Sequence, residues 1–236
     1  MVGAIVGFMI VAAGGALAYS CMAPSSRIFR PVVVRGRAGK HSVLLTFDDG
    51  PAPPFTEQVL DILAEHRIRA VFFLCGKNVE RYPEIARRIV REGHTIGNHT
   101  YSHPLLLGRR RGFIAQEIDR AQEAIERVTG VRPKWFRPPY GARWFGLMPV
   151  LRQRGLSLVM WSTAGYDWKY KTPAIVQSVT RGLRPGAVIL LHDGHEQPPP
   201  GGIDQSCTVQ ALPAIIRAAR QSGLTFTSIQ EIADFI

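Results

Sequence analysis

The chain has 236 residues, 46% of them hydrophobic, and a formal net charge of +11. That length suits one large domain or two small ones, with enough apolar content for a sizeable core. Three cysteines, Cys21, Cys75 and Cys207, exclude a disulfide framework and a Cys-x-x-Cys metal site. The arginine excess favours an acidic partner such as an anionic lipid surface, a cell-wall polymer or nucleic acid. No interleaving of basic and aromatic residues puts nucleic acid first, and none is expected.

Residues 2–19 are apolar or glycine without interruption. Such a run can span a bilayer, for which ~20 residues are the usual requirement. It also reads as a signal peptide, with 2–13 as apolar core and Ala16-Leu17-Ala18 as a small-x-small cleavage site. Residues 1–23 are therefore a signal peptide or a transmembrane anchor, touching the membrane through 2–23 if not cleaved. A cell-envelope location, anchored or secreted, is the expectation. The charge flanks oppose it: no Lys or Arg precedes the run, while Arg27, Arg30, Arg35, Arg37 and Lys40 follow, and the positive-inside rule holds such a flank in the cytoplasm. Residues 24–41 carry Pro, Ser, Gly and Arg but no acid, and read as a basic linker. The folded, catalytic domain is expected over 42–236.

Within it, apolar runs alternate with helical periodicity. Strands are predicted at 43–47, 69–74, 94–98, 134–137, 157–161, 187–192 and 225–227. Helices are predicted at 56–66, 83–92, 112–129, 146–153, 172–182, 208–221 and 229–235. Strand-helix alternation gives an α/β fold with a mostly parallel sheet. About seven such units in one domain favour a (β/α) barrel, closed or incomplete. The absence of G-x-G-x-x-G after the first strand weakens a dinucleotide fold.

Five segments at predicted strand ends carry chemistry. Thr46-Phe47-Asp48-Asp49-Gly50-Pro51 ends a buried strand with two carboxylates, which are tolerated there when paired or metal-bound. The plainer reading is an Asx-turn with two solvated acids. His99 and His103 are four apart, a spacing that puts both on one face of a helical turn and lets them reach one metal. In a parallel barrel all C-terminal strand ends open on one face, so Asp48, Asp49, His99 and His103 would converge. Two imidazoles and a carboxylate leave metal positions open, as catalytic zinc requires; they also describe a non-haem iron triad. Trp135-Phe136-Arg137-Pro138-Pro139-Tyr140-Gly141 fixes extended backbone after a strand, could aim the Tyr140 N–H, and offers Arg137 to a carboxylate. Trp161-Ser162 through Asp167-Trp168 is the fourth segment. Ile189-Leu190-Leu191-His192-Asp193 is the fifth, with His192 at the same end of the fold.

In this order, the five segments resemble the polysaccharide deacetylases of carbohydrate esterase family 4, the NodB-homology domain, over roughly residues 42–235. The resemblance implies a distorted (β/α) barrel and one divalent ion, zinc foremost, with cobalt, nickel or manganese as alternatives. It implies Asp48 as general base, Asp49, His99 and His103 as ligands, and Arg137 orienting the base. It further implies an oxyanion contact from the Tyr140 N–H, His192 as general acid, and Trp168 and Leu190 around the acetyl methyl. One position departs from the family pattern: Ala164 stands where an aspartate is usual, leaving Asp167 as that segment's acid. The implied reaction is N-deacetylation of an acetylated glycan such as peptidoglycan or chitooligosaccharide. An O-acetyl esterase acting on xylan and a non-catalytic envelope glycan-binding protein are the alternatives.

Overall fold

Alternate residues of one fully buried strand face two different cores. Along β2 (Ser42–Asp48), Val43, Leu45 and Phe47 pack with the apolar faces of the surrounding helices. Leu44 joins Val71, Phe73, Val159 and Val188 in the barrel interior. The period of two therefore also sends Thr46 and Asp48 inward, the latter at the strand's C-terminal mouth. This frame comes from a computed structural model, which describes residues 15, 18–26, 28–29, 32–36, 41–195 and 204–233.

The remaining strands are β1 (Val32–Val33), β3 (Val71–Leu74), β4 (Thr95–Asn98), β5 (Trp135–Phe136), β6 (Ser157–Val159), β7 (Thr163–Ala164), β8 (Val188–His192) and β9 (Thr225–Phe226). They lie in the order β1-β6-β5-β4-β3-β2-β8-β7, with β9 beside the start of β2. Every pairing among these strands is parallel. The two ends of the path do not pair with each other among the described residues, so the barrel is incomplete. Helices α1 (Phe55–His66), α2 (Gly76–Arg81), α3 (Pro83–Arg91), α4 (Arg111–Thr129), α5 (Leu147–Gln153), α6 (Thr172–Gly182), α7 (Ser206–Gln221) and α8 (Ile229–Ala233) connect and follow the strands. In α1, Thr56, Val59, Leu60 and Leu63 are buried, the stripe of a helix lying on a sheet. α4 stops where Gly130 takes a φ of 73°, the left-handed cap that glycine supplies freely.

All seven predicted strands are present, and two more appear. β1 falls within 24–41, so that stretch is not simply a linker: Val33 is buried in the barrel interior and Phe29 is 2% exposed. Residues 35–36 then reach the far side of the barrel, where the Gly36 N–H donates to Gly186 O at 2.9 Å. A side chain on Gly186 would meet the Gly36 carbonyl at 2.5 Å, at a φ of 78°. Most of the predicted signal or anchor, 1–23, lies outside the described residues. Among those described, no helix is long and apolar enough to cross a membrane.

Candidate active site

The C-terminal strand ends open into a cavity of about 500 Å³. Asp48, Asp49, His99, His103, Tyr140, Trp168, Leu190 and His192 line it. Arg137 and Asp167, the other two predicted residues, lie behind the wall and hold Asp48 and His192. Backbone strain gathers here too. Asp49, Thr100, His103, Tyr140 and Tyr166 all have φ between 52° and 76°, an uncommon region for side-chain-bearing residues.

Arg137 is wholly buried and uses its guanidinium in four directions. It donates to Asp48 Oδ1 at 2.7 Å, Thr46 Oγ1 at 2.8 Å, Met160 O at 3.0 Å and Val159 O at 3.2 Å. The Phe73 ring lies 4.2 Å beneath it. Burial pulls the Arg137 pKa down and the Asp48 carboxylate opposes that pull. Asp48 is thus fixed by one oxygen, while its Oδ2 points toward His99 Nε2 at 3.8 Å.

Asp49 Oδ1 sits 3.3 Å from His99 Nε2 and 3.2 Å from His103 Nε2. Burial alone would raise the Asp49 carboxyl; His103 and His99 beside it outweigh that and hold it well below the usual carboxylate range. His99 Nδ1 lies 2.7 Å from Arg137 O. A carbonyl only accepts, so Nδ1 carries the proton and the Nε2 of the neutral ring presents a lone pair. Asp49 Oδ1, where the two Nε2 atoms converge, is buried without a well-formed hydrogen bond from the protein. Electron-rich atoms from three residues converge within 4.8 Å, and the donor set fits a divalent cation.

The two histidines meet for a different reason than the helical spacing predicts. Residues 99–103 form no helix; they leave β4 as a loop. Left-handed turns at Thr100 and His103 bring the rings to 4.9 Å. Buried Glu117 on α4 staples this loop. It accepts from the N–H of Tyr101 at 3.1 Å, the N–H of Ser102 at 2.9 Å and the Ser102 hydroxyl at 3.0 Å. Asn98 caps the same loop by accepting from the Thr100 N–H at 2.8 Å. In Glu117→Gln, one acceptor becomes a donor facing donors. We expect a folded protein whose affinity for zinc drops about tenfold, the scale typical of lost outer support. Competition against a chromogenic chelator checks this, and wild-type affinity in the variant would remove Glu117 from the account.

On the opposite wall, His192 Nδ1 donates to Asp167 Oδ1 at 2.8 Å, and the His192 N–H donates to Oδ2 at 2.7 Å. The Thr208 hydroxyl donates to the same Oδ2 at 2.8 Å. Burial would lower the His192 pKa, but Asp167, aided by Asp49 and Asp48, raises it to about 10. Trp168 stands edge-on to the His192 ring at 5.1 Å. Tyr140 packs edge-on to His103 at 4.7 Å. Ala164 is buried, pairs with the cavity-lining Leu190 across β7 and β8, and borders a second cavity of about 600 Å³ beside α6.

Sequence reasoning missed the supports beneath these residues. Asp193 is buried under the Asp48-Asp49-Gly50 turn, where a side chain on Gly50 would meet its Oδ2 at 2.3 Å. It accepts from the Thr56 hydroxyl at 2.6 Å, and burial, less that bond, raises its pKa to about 7. Asn78 donates to the Asp49 carbonyl at 2.8 Å. Pro24, Trp161, Tyr166, His195 and Gln205 also line the main cavity. Asp193, Trp161 and Tyr166 fall within the segments singled out in the sequence; Pro24, Asn78, His195 and Gln205 do not.

Comparison with known proteins places the chain in a family. The polysaccharide deacetylase family model matches residues 35–159. The peptidoglycan-N-acetylglucosamine deacetylase of Bacillus cereus is 39% identical over 195 residues, spanning 82% of this chain and 69% of its own length. A chitooligosaccharide deacetylase of Bradyrhizobium is 38% identical over 205 residues, spanning 83% of this chain and 92% of its own. The crystal structure of the Bc1960 peptidoglycan N-acetylglucosamine deacetylase has a TM-score of 0.78 at 35% identity, covering 85% of this chain and 92% of that one. Matched over more than half its length by the family model and over four-fifths by full relatives, the chain belongs to the polysaccharide deacetylases, the family 4 carbohydrate esterases.

Proposed function

We propose that this chain is a metal-dependent N-deacetylase acting on a GlcNAc-containing glycan, peptidoglycan or chitooligosaccharide. One observation carries the reading: Asp48, held by Arg137, and His192, held by Asp167, face the same cavity as the Asp49, His99 and His103 cluster. Family membership supplies the reaction class, glycan deacetylation, and the relatives named above act on peptidoglycan N-acetylglucosamine and on chitooligosaccharides.

An acetamide is a poor electrophile and an amine anion a poor leaving group, so hydrolysis needs a base for water and an acid for nitrogen. A divalent ion held by Asp49, His99 and His103 would polarise the acetyl carbonyl and lower the pKa of water toward ~7. Asp48 removes a proton from the attacking water through its free oxygen, Oδ2. The Tyr140 N–H donates to the oxyanion as the tetrahedral centre forms; one such donor is worth roughly 3 kcal/mol. His192, anchored through Nδ1, gives its Nε2 proton to the nitrogen. The C–N bond breaks, its electron pair stays on nitrogen, and acetate and a glucosamine unit separate. Trp168 and Leu190 bound the space for the acetyl methyl.

The strongly held charge on His192 favours an amide over an O-acetyl ester, because an amine must be protonated to leave. A non-catalytic binder would gain nothing from burying these two acid-base pairs, whose desolvation is costly. Mass spectrometry of N-acetyl chitopentaose, peptidoglycan fragments and acetylated xylan after incubation with zinc-loaded protein tests the reading. Acetyl loss from the first two supports it, and loss from xylan alone replaces it with the esterase. We extend the reading to location, at the cell envelope, with the apolar run within residues 2–23 as a membrane anchor or as a leader cleaved after Ala18.

The cluster also predicts its stoichiometry. About one zinc per chain is expected by elemental analysis, with chelation abolishing turnover. A chain without metal that keeps full activity in chelator would remove this mechanism.

A further inference from the structure

Arg143 is as fully buried as Arg137, yet it has no carboxylate partner among the described residues. It spends its donors on the carbonyls of a segment more than a hundred positions earlier in the chain. Its Nη1 donates to Ser26 O at 3.2 Å, and its Nη2 to Ser20 O at 3.3 Å and to Ala23 O. Its own N–H donates to Cys21 O at 2.8 Å. Its guanidinium lies 5.5 Å from the ring of Phe29, which packs on Phe145 at 5.2 Å. Cys21 and Phe29 are each 2% exposed.

A guanidinium whose partners are mostly the carbonyls of one segment depends on that segment. If the segment left, a buried charge would lose its compensation. Conversely, a short segment outside the barrel does not hold one position unless something offsets the entropy of ordering it. The two requirements meet here, and they meet at the cavity. Pro24 follows the Ala23 carbonyl that Arg143 binds, and Pro24 lines the catalytic cavity. Arg143 itself lies three residues beyond Tyr140, on the loop that forms the adjoining wall.

We propose that residues 20–26 are a fixed wall of the substrate pocket, and that Arg143 is the positioning residue that holds it. Pro24 presents a rigid apolar ring to the C–H face of a pyranose next to the acetylated sugar. The segment thereby sets how well an oligosaccharide fits, while the reacting groups stay on the barrel. The identity of the sugar rests on the deacetylase reading; the docking of the segment does not.

The test uses the full zinc-loaded chain in detergent, with N-acetyl chitopentaose as substrate and amide hydrogen exchange as a second readout. Arg143→Lys keeps the charge but cannot reach three carbonyls at once. It should raise KM about tenfold with kcat changed less than about threefold, the signature of lost substrate binding. Exchange across 20–26, slow in the parent protein, should become fast. Pro24→Trp should raise KM similarly while leaving exchange slow. The proposal is overturned if exchange across 20–26 is already fast in the parent protein, or if Pro24→Trp has the parent KM. Should Arg143→Lys not fold, Pro24→Trp and the parent exchange still decide. A parent protein that exchanges slowly here but never deacetylates chitopentaose would fail the deacetylase reading and keep the docking.

Discussion

Asp48→Asn is expected to lower kcat at least ~100-fold while leaving bound metal nearly unchanged. The amide oxygen can still accept from Arg137, so the buried guanidinium keeps its contact and the barrel keeps its shape. What is lost is the ability to take a proton. The converging ligand atoms belong to Asp49, His99 and His103, not to Asp48. His99→Ala should therefore show the opposite pattern, with metal lost along with activity. Steady-state kinetics with elemental analysis of both variants measures the division of labour. Equal metal loss in the two would mean that the adjacent aspartates do not divide into base and ligand.

Asp167→Asn should be nearly as damaging and should also change the pH profile. Burial pulls the His192 pKa down; Asp167 is the largest influence pulling it up, to about 10. An acid with a raised pKa is protonated at neutral pH and fails as pH climbs through that value. Removing the Asp167 charge lets burial win, so the pKa falls and the alkaline limb moves to lower pH. A shift of about one unit or more is the usual size for loss of a contacting opposite charge. A cation at the neighbouring cluster offsets the Asp49 and Asp48 contributions equally in parent and variant, leaving the Asp167 difference visible. The amide also turns an NH2 toward the His192 N–H or the Thr208 hydroxyl, so kcat should fall ~100-fold as well. Ala164→Asp is the comparison: Asp167 already contacts His192 Nδ1 at 2.8 Å, so a second carboxylate at position 164 should leave the alkaline limb in place. A limb that moves in Ala164→Asp but not in Asp167→Asn would reverse the assignment of the two positions.

The parts of this protein that were legible in its sequence are those with a pattern in their own side chains. Val43, Leu44 and Leu45 announce a strand buried on both faces, and the acids after it announce its mouth. β1 and β7 went unpredicted because each is short and set in a stretch with no strand-length apolar run, β1 among the prolines, glycines and arginines of 24–41 and β7 among the small residues Ser162 to Gly165. The His99/His103 pair was visible through the wrong geometry: four-residue spacing suits a helix, but here a capped, left-handed loop does the same work. That loop depends on Glu117, which reads as one more acid on an amphipathic helix, and its partners include two main-chain N–H groups that no side-chain pattern records. Arg143 was illegible for the matching reason, since its partners are main-chain carbonyls. Residues 24–41 look like a linker because their side chains are a linker's, while β1 pairs with β6 through the backbone.

Arg137 joins two assemblies through a single residue. Its side chain fixes Asp48, and its main-chain oxygen fixes the orientation of His99. Asp48 and His99 are thus referenced to one fully buried residue rather than to separate strands. When the open edge of the barrel breathes, a displacement carried through Arg137 moves both together. Their spacing survives motions that would spoil it if each hung from its own loop, and the tolerance of the reacting geometry is set by the stiffness of one side chain's packing.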